Sequence, residues 1–261
     1  MAEKYGERLF LAGTQAERDR LDAMSETFDG ASHAALGAVG PMPGWHCLDA
    51  GAGKGSIARW LASQVGPSGR VLAVDLDTSG LESSPHAGVD VLSGDITDPA
   101  LPLGTYDLVH ARFLLLNLRS REEILTRFVD ILRPGGYLVI SDTADLGTPY
   151  VSFPPFSRVT HAFFDVMAEI GTDPAFGLRH HGLFAKAGLT DIRNEVYWPT
   201  LGCASPMSRA LSFTFVHVAD RIIATGKADR EDIDATIEYL NAPETSDALL
   251  AMITTIGRKP A

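Results

Sequence analysis

Apolar residues recur along this chain in two rhythms, and the change between them sets the first expectations. From about Glu3 to Val39 they fall at Leu9, Phe10, Leu21, Met24, Phe28, Leu36 and Val39, a spacing that suits amphipathic helices. Pro41 and Pro43 end that region. Beyond them, short uninterrupted apolar runs alternate with helical patterns. "WHCLDAG" reads as a buried strand and "GSIARWLASQVG" as a helix with Ile57, Trp60, Leu61 and Val65 on one face. "GRVLAVDLD" and "GVDVLSGD" read as the second and third strands, and "YDLVHARFLLLNL" as a fourth that runs on into a loop. "REEILTRFVDIL" has helical spacing, "RPGG" stops it, and "YLVISD" is a fifth strand ending at Asp142.

From Thr143 to about Arg179 the pattern is irregular and then helical, rich in aromatics and prolines. "HGLFAKAGLTDIRNEVYW" gives a helix, a Gly188 cap and a sixth strand. "MSRALSFTFVHVADRIIA" and "REDIDATIEYLNAP" read as two more helices, and "LLAMITTIGRKP" as the closing strand. Strands apolar on both faces and alternating with helices imply an α/β fold, a parallel sheet covered on both sides. No repeat or low-complexity tract interrupts the pattern.

Composition narrows the function classes. The 261 residues are 45% hydrophobic and 21% charged, as in soluble globular proteins, with enough chain for a core that needs no staples. A net charge of −11 and the lack of a basic run argue against a nucleic-acid partner. Cys47 and Cys203 have no CxxC partner, and Cys47 in its strand reads as a reduced core thiol. Neither a secretory pattern nor a run approaching a membrane span is present, so a cytoplasmic protein without a membrane partner is expected.

The chemistry concentrates in "CLDAGAGKGS", Cys47 to Ser56. A dinucleotide turn, G-x-G-x-x-G, fails because Ser56 stands at the sixth position. An ATP loop fails twice, with Leu48 at its first glycine and Gly55 after the lysine. The remaining pattern is an acid, Asp49, before glycines spaced G-x-G-x-G, with a second acid, Asp75, ending the next strand. It resembles the class I S-adenosylmethionine-dependent methyltransferases, among them the bacterial secondary-metabolite and quinone enzymes. "SGDI", "DLVHAR" and "LRPGGYLVISD" follow in that family's order, and the resemblance runs from about residue 17 to the end.

That resemblance implies a Rossmann-like, seven-stranded, mostly parallel sheet with a helical lid. It implies N-terminal lid helices over 1–40, a cofactor-binding core over 41–142 and an inserted helical lid over 143–180. The rest of the core would follow over 181–261, with a further helical insertion at about 204–242. The cofactor would be S-adenosyl-L-methionine, leaving as S-adenosyl-L-homocysteine. Its site would comprise Asp49, Ala50, Gly51, Ala52 and Gly53, then Asp75 and Leu76, Asp95 and Ile96, and His110, Ala111 and Arg112. Asp75 would accept both ribose hydroxyls, with Asp77 the weaker alternative, and Asp95 would face the adenine amine. Asp75 also reads as a helix cap, and Asp95 as a turn former beside Gly94.

Where the small-molecule branch often begins a helix with R-L-P, this chain has Arg179, His180 and His181, which read as a solvated helix start or else as substrate ligands, an acid–base pair or a metal site. If the acceptor must lose a proton, the candidate bases are His161, His180, His181 and His217; no metal is expected. Aromatic and thioether residues, including Tyr150, Phe153, Phe156, Phe163, Phe164 and Met167, and later Trp198, Met207, Phe213 and Phe215, suit an apolar lid over a small organic substrate. The expected reaction is methyl transfer to that acceptor, O-methylation before N- or C-methylation, driven mainly by positioning and exclusion of water. Cyclisation or rearrangement on the same fold, a non-catalytic cofactor-binding module and a macromolecular acceptor are the alternatives, and a homodimer is compatible with the apolar N-terminal helices.

Overall fold

The computed structural model describes residues 14–83 and 85–261. The expected helical positions Leu9 and Phe10 lie outside the described residues. Helix α1, Gln15–Val39, is capped by the Thr14 hydroxyl, which accepts from the Glu17 N–H, and ends at Gly40 in the left-handed conformation. The N-terminal pattern thus resolves, among the described residues, into one 25-residue helix.

The sheet has the order β3-β2-β1-β4-β5-β7-β6. Its strands are β1 (His46–Ala50), β2 (Arg70–Asp75), β3 (Val89–Ser93), β4 (Tyr106–Arg112), β5 (Leu132–Asp145), β6 (Thr190–Tyr197) and β7 (Leu250–Arg258). β1 to β5 pair in parallel, while β7 runs antiparallel to both β5 and β6. The seven-stranded, mostly parallel expectation is met.

Alternation along each strand builds two buried layers. Cys47, Val71, Ala73, Leu108 and Val139 face α1 and α2 (Ser56–Val65). Leu48, Ala50, Val109, Ala111, Leu138 and Ile140 share the core that Ile124, Leu125 and Phe128 of a helix at Arg121–Asp130 complete. Burial inside this framework pushes the Cys47 thiol up to about 12, which keeps it protonated.

A third apolar cluster lies beyond the sheet. It joins Phe28 of α1, Phe156, Phe163 and Met167 of the helix Pro154–Glu169, and Met207, Leu211 and Phe215 of the helix Pro206–His217 to Met252 of β7. Phe156 and Phe215 are wholly buried there, so those two expected lid aromatics are core of the cover. Tyr150 and Trp198 are exposed at 79% and 43%.

Three expected boundaries change. β5 continues past Asp142 to Asp145, because β7 pairs with it as far as Asp145↔Leu250. It also begins at Leu132, so "RPGG" lies within the strand assignment and does not precede it. The single helix expected from Met207 to Ala224 is two, Pro206–His217 and Ala219–Ala224, broken at Val218.

Candidate functional site

A cavity of about 960 Å³ opens at the carboxyl ends of β1, β2 and β4, where open parallel sheets place their ligands. The glycine loop forms its floor. Gly51 and Gly53 both have left-handed φ, 69° and 54°, a conformation that costs an L side chain. A Cβ on Gly51 would also stand 3.2 Å from the Leu114 side chain, so backbone alone fits between that leucine and the cavity.

The two acids of the pattern do different work. Asp75 Oδ2 accepts from the Gly53 N–H at 2.7 Å, and Oδ1 accepts from the Asp77 N–H at 3.0 Å. The carboxylate at the end of β2 therefore ties down the loop after β1. Burial holds its pKa above the ordinary carboxylate value, against the lowering effect of those backbone donors. Asp49 is buried beneath the loop, with its Oδ1 2.7 Å from His110 Nδ1. The two residues are direct neighbours across β1 and β4, so their side chains share one face.

Arg112, two residues beyond His110 and on the same face, donates to Ser32 Oγ at 2.9 Å and to Asp29 Oδ1 at 2.8 Å. Asp29 Oδ1 also accepts from the Ser56 hydroxyl at 3.1 Å. One carboxylate of α1 thus joins the end of β4 and the start of α2. Lys54 pairs with Asp22 of the same helix.

Asp49, Gly51, Ala52, Gly53, Asp75, Leu76, Asp95, Ile96, His110 and Arg112 all line the cavity. Ala50 and Ala111 do not: alternation turns their side chains into the core on the other face. Asp95 Oδ1 accepts from both the N–H and the hydroxyl of Thr97, so it closes a turn at the cavity wall. Leu76 is 51% exposed there, an apolar side chain open to a ligand.

The four candidate bases are not brought to the cavity. His161 is exposed and its Nδ1 is bound to the Ser157 carbonyl of its own helix at 2.7 Å. His180 is wholly buried between Phe176 and Phe184, with its Nε2 3.2 Å from Asp142 Oδ2. His181 is exposed at the start of a short helix, His180–Lys186, and His217 ends the helix at Pro206–His217. The departure from R-L-P therefore supplies a buried hydrogen-bonded pair, His180 with Asp142.

Sequence reasoning missed only part of the wall opposite the glycines, the residues after β4 and the threonines. Leu21, Met24 and Phe28 of α1, within the segment read as an N-terminal lid, line the cavity. Phe163, Phe164, Met167, Met207 and Leu211 face them from the two cover helices. Phe113, Leu114 and Asn117, directly after β4, complete this wall with Thr143, Thr172 and Thr214. Among the described residues, the lining side chains drawn from 113–118, 143, 163–174 and 207–214 include no titratable group. No group of acidic, histidine and cysteine residues suited to a metal occurs among the described residues, and no described helix is long and apolar enough to cross a membrane.

Comparison with known proteins bears on this geometry. The sequence profile described as "Methyltransferase domain" matches residues 48–140, the stretch from β1 to β5. The chain is 31% identical over 216 residues to methyltransferase str3 of Strobilurus tenacellus, covering 78% of this chain and 77% of that protein. It is 25% identical over 174 residues to the ubiquinone/menaquinone biosynthesis C-methyltransferase UbiE of Ectopseudomonas mendocina, covering 62% and 68%. A structure of a Haemonchus contortus phosphoethanolamine N-methyltransferase with S-adenosylhomocysteine superposes with a TM-score of 0.62 at 18% identity. That match covers 99% of this chain but only 60% of the nematode one, and speaks for the fold alone.

Proposed function

Since the chain belongs to the class I S-adenosylmethionine-dependent methyltransferases, we propose that it methylates a small apolar acceptor, at a hydroxyl oxygen before nitrogen or carbon. The observation that carries this reading is the join between Asp75 and Gly53. It sets a half-buried carboxylate, its pKa raised, beside a side-chain-free loop at the floor of the cavity.

The residues present fit the cofactor. Asp75 would take the ribose diol, Leu76 and Ile96 would flank the adenine, and Asp95 would use Oδ2, the oxygen outside its turn. Gly51 and Gly53 admit the methionyl part by having no Cβ. When bound, the cofactor supplies an activated methyl group on a sulfonium. The chain's part is to hold the acceptor in line and to keep water out.

The acceptor side is apolar, with hydroxyl and amide groups from Thr143, Thr172, Thr214 and Asn117 to orient a polar atom. Without a titratable group among its described lining residues, it suits an acceptor that needs no protein base, such as a phenol or enol made acidic by electron-withdrawing groups. The net charge of −11 supports a small acceptor over a nucleic acid. The names of the relatives span C- and N-methylation, so the atom modified follows from the acceptor screen described next.

Calorimetric titration with S-adenosylhomocysteine, with NAD as control, tests the cofactor site. Binding of the first alone, weakened at least about tenfold in Asp75→Ala (a loss of about 1.4 kcal/mol or more), is the expected result. Binding of NAD, or indifference to the substitution, would refute it. A panel of phenols, amines and activated carbon acids with methyl-labelled cofactor then identifies the acceptor.

A further inference from the structure

Phe113 has a φ of 55°, in the left-handed region that disfavours every L side chain. Among the described residues it is the only non-glycine residue with both that conformation and a place in the cavity wall; the other non-glycine cases are Asp191, Cys203 and Ala204. Strain of this kind persists only where the surroundings fix it, and here they do so on both sides of the residue. The Phe113 N–H donates to the Ser141 carbonyl at 2.8 Å, and its carbonyl accepts from Asn117 Nδ2 at 2.8 Å. Asn117 Oδ1 in turn accepts from the Thr172 hydroxyl at 3.0 Å. Thr172 follows the helix Pro154–Glu169, so the clamp also ties the inserted cover to the end of β4.

The ring so held stands at a boundary. Leu114 beside it lies against Gly51, the first glycine of the loop. The ring itself meets Phe28 edge to face, with centroids 4.9 Å apart, and packs against both the core under the sheet and the core of the cover. The methyl group must pass from the glycine-loop side to the apolar side, so the sulfonium has to lie where these two regions meet. A carboxylate there would stabilise the positive charge, but it would itself be a nucleophile toward the methyl group. An aromatic ring attracts a cation without that liability. Arg112 lies 5.8 Å from the same ring, and its charge is met by Asp29.

We propose that Phe113, locked in its left-handed conformation by Asn117 and Thr172, is a specificity-determining residue that favours the charged sulfonium cofactor over its neutral thioether product. This rests on the methyltransferase reading above, and its test needs no acceptor. Dissociation constants for S-adenosylmethionine and S-adenosylhomocysteine are measured by calorimetry on the wild-type chain and on Phe113→Leu, Phe113→Tyr and Asn117→Ala.

In Phe113→Leu the preference for the charged ligand is expected to fall by about five- to tenfold through weaker binding of S-adenosylmethionine alone, while Phe113→Tyr keeps the wild-type ratio. Asn117→Ala, which keeps the ring but frees its backbone, moves the ratio in the same direction by a smaller factor and serves as the second test if Phe113→Leu does not fold. Equal weakening of both ligands, or an unchanged ratio in Phe113→Leu or, failing its folding, in Asn117→Ala, would show a purely structural residue and overturn the proposal. A wild-type chain that binds neither ligand would instead overturn the cofactor reading, and this proposal with it.

Discussion

Asp49 and His110 meet across adjacent strands at 2.7 Å, 2% and 1% exposed, directly beneath the glycine loop. A carboxylate only accepts, so the proton on this bond belongs to His110 Nδ1. Its Nε2 is buried without a partner among the described residues. Removing the acceptor would leave a second buried nitrogen unsatisfied. Asp49→Ala is expected to lose about 2 kcal/mol of stability in denaturant unfolding, and Asp49→Asn, which keeps an acceptor oxygen, clearly less. Equal losses would mean that the bond contributes nothing.

Asp75 sets a pH dependence whose sign follows from its raised pKa. The folded state holds this proton more tightly than the unfolded chain does. The associated stability is therefore complete below the unfolded value, near pH 4, and is lost as pH rises through the folded value. Asp75→Asn should melt above the wild type at pH 7, with the difference closing under acid conditions, and should lose S-adenosylhomocysteine affinity. A variant that melts lower at pH 7 would show that the bonds from Gly53 and Asp77 outweigh burial.

Gly51→Ala forces a side chain into left-handed φ against Leu114. The expected cost is about 1–2 kcal/mol of stability, together with at least a ~10-fold loss of S-adenosylhomocysteine affinity. The comparison substitution is Gly30→Ala in α1, where an added Cβ meets nothing within 4 Å. It should leave binding alone and slightly raise the melting temperature.

The buried pair His180–Asp142 lies away from the cavity, and burial holds the Asp142 carboxyl above its ordinary value. His180→Phe removes the partner and should cost about 3 kcal/mol. Adding Asp142→Leu should restore most of it, and S-adenosylhomocysteine affinity should stay unchanged throughout. Weakened binding in the restored double variant would return His180 to the functional site.

Cys203 is exposed and Cys47 buried, with its thiol pushed up to about 12. An aromatic disulfide reagent should therefore titrate one thiol in the native protein and two in denaturant. Two fast-reacting thiols in the native state would contradict the packing of β1.

The parallel strands and the glycine loop were legible because a strand buried on both faces leaves a local signal: an apolar run that stops at acids and glycines. Asp75 was legible because one helix and one strand fix its distance from Gly53. The histidines misled because a residue type reveals its chemistry and not its surroundings. His180 and His181 stand side by side in the sequence, yet the helix turns the first into the core and leaves the second, as a solvated helix start would, to solvent. Ala50 and Ala111 were named with their neighbours although alternation removes their side chains from the cavity. The wall formed by Phe28, Phe113 and Asn117 comes from segments 85 residues or more apart in part, and no local pattern announces that meeting.

Asp29 sits on the helix that covers the cavity, yet it binds Arg112 at the end of β4 and Ser56 at the start of α2. The cover cannot lift without giving up both contacts. That ion pair, with side chains 13% and 23% exposed, thus fastens the cover at the edge of the cavity. Salt screens a partly buried pair less than an exposed one, so it weakens the pair only in part. Exchange of cofactor for product should quicken with ionic strength, even where the equilibrium preference between them stays fixed.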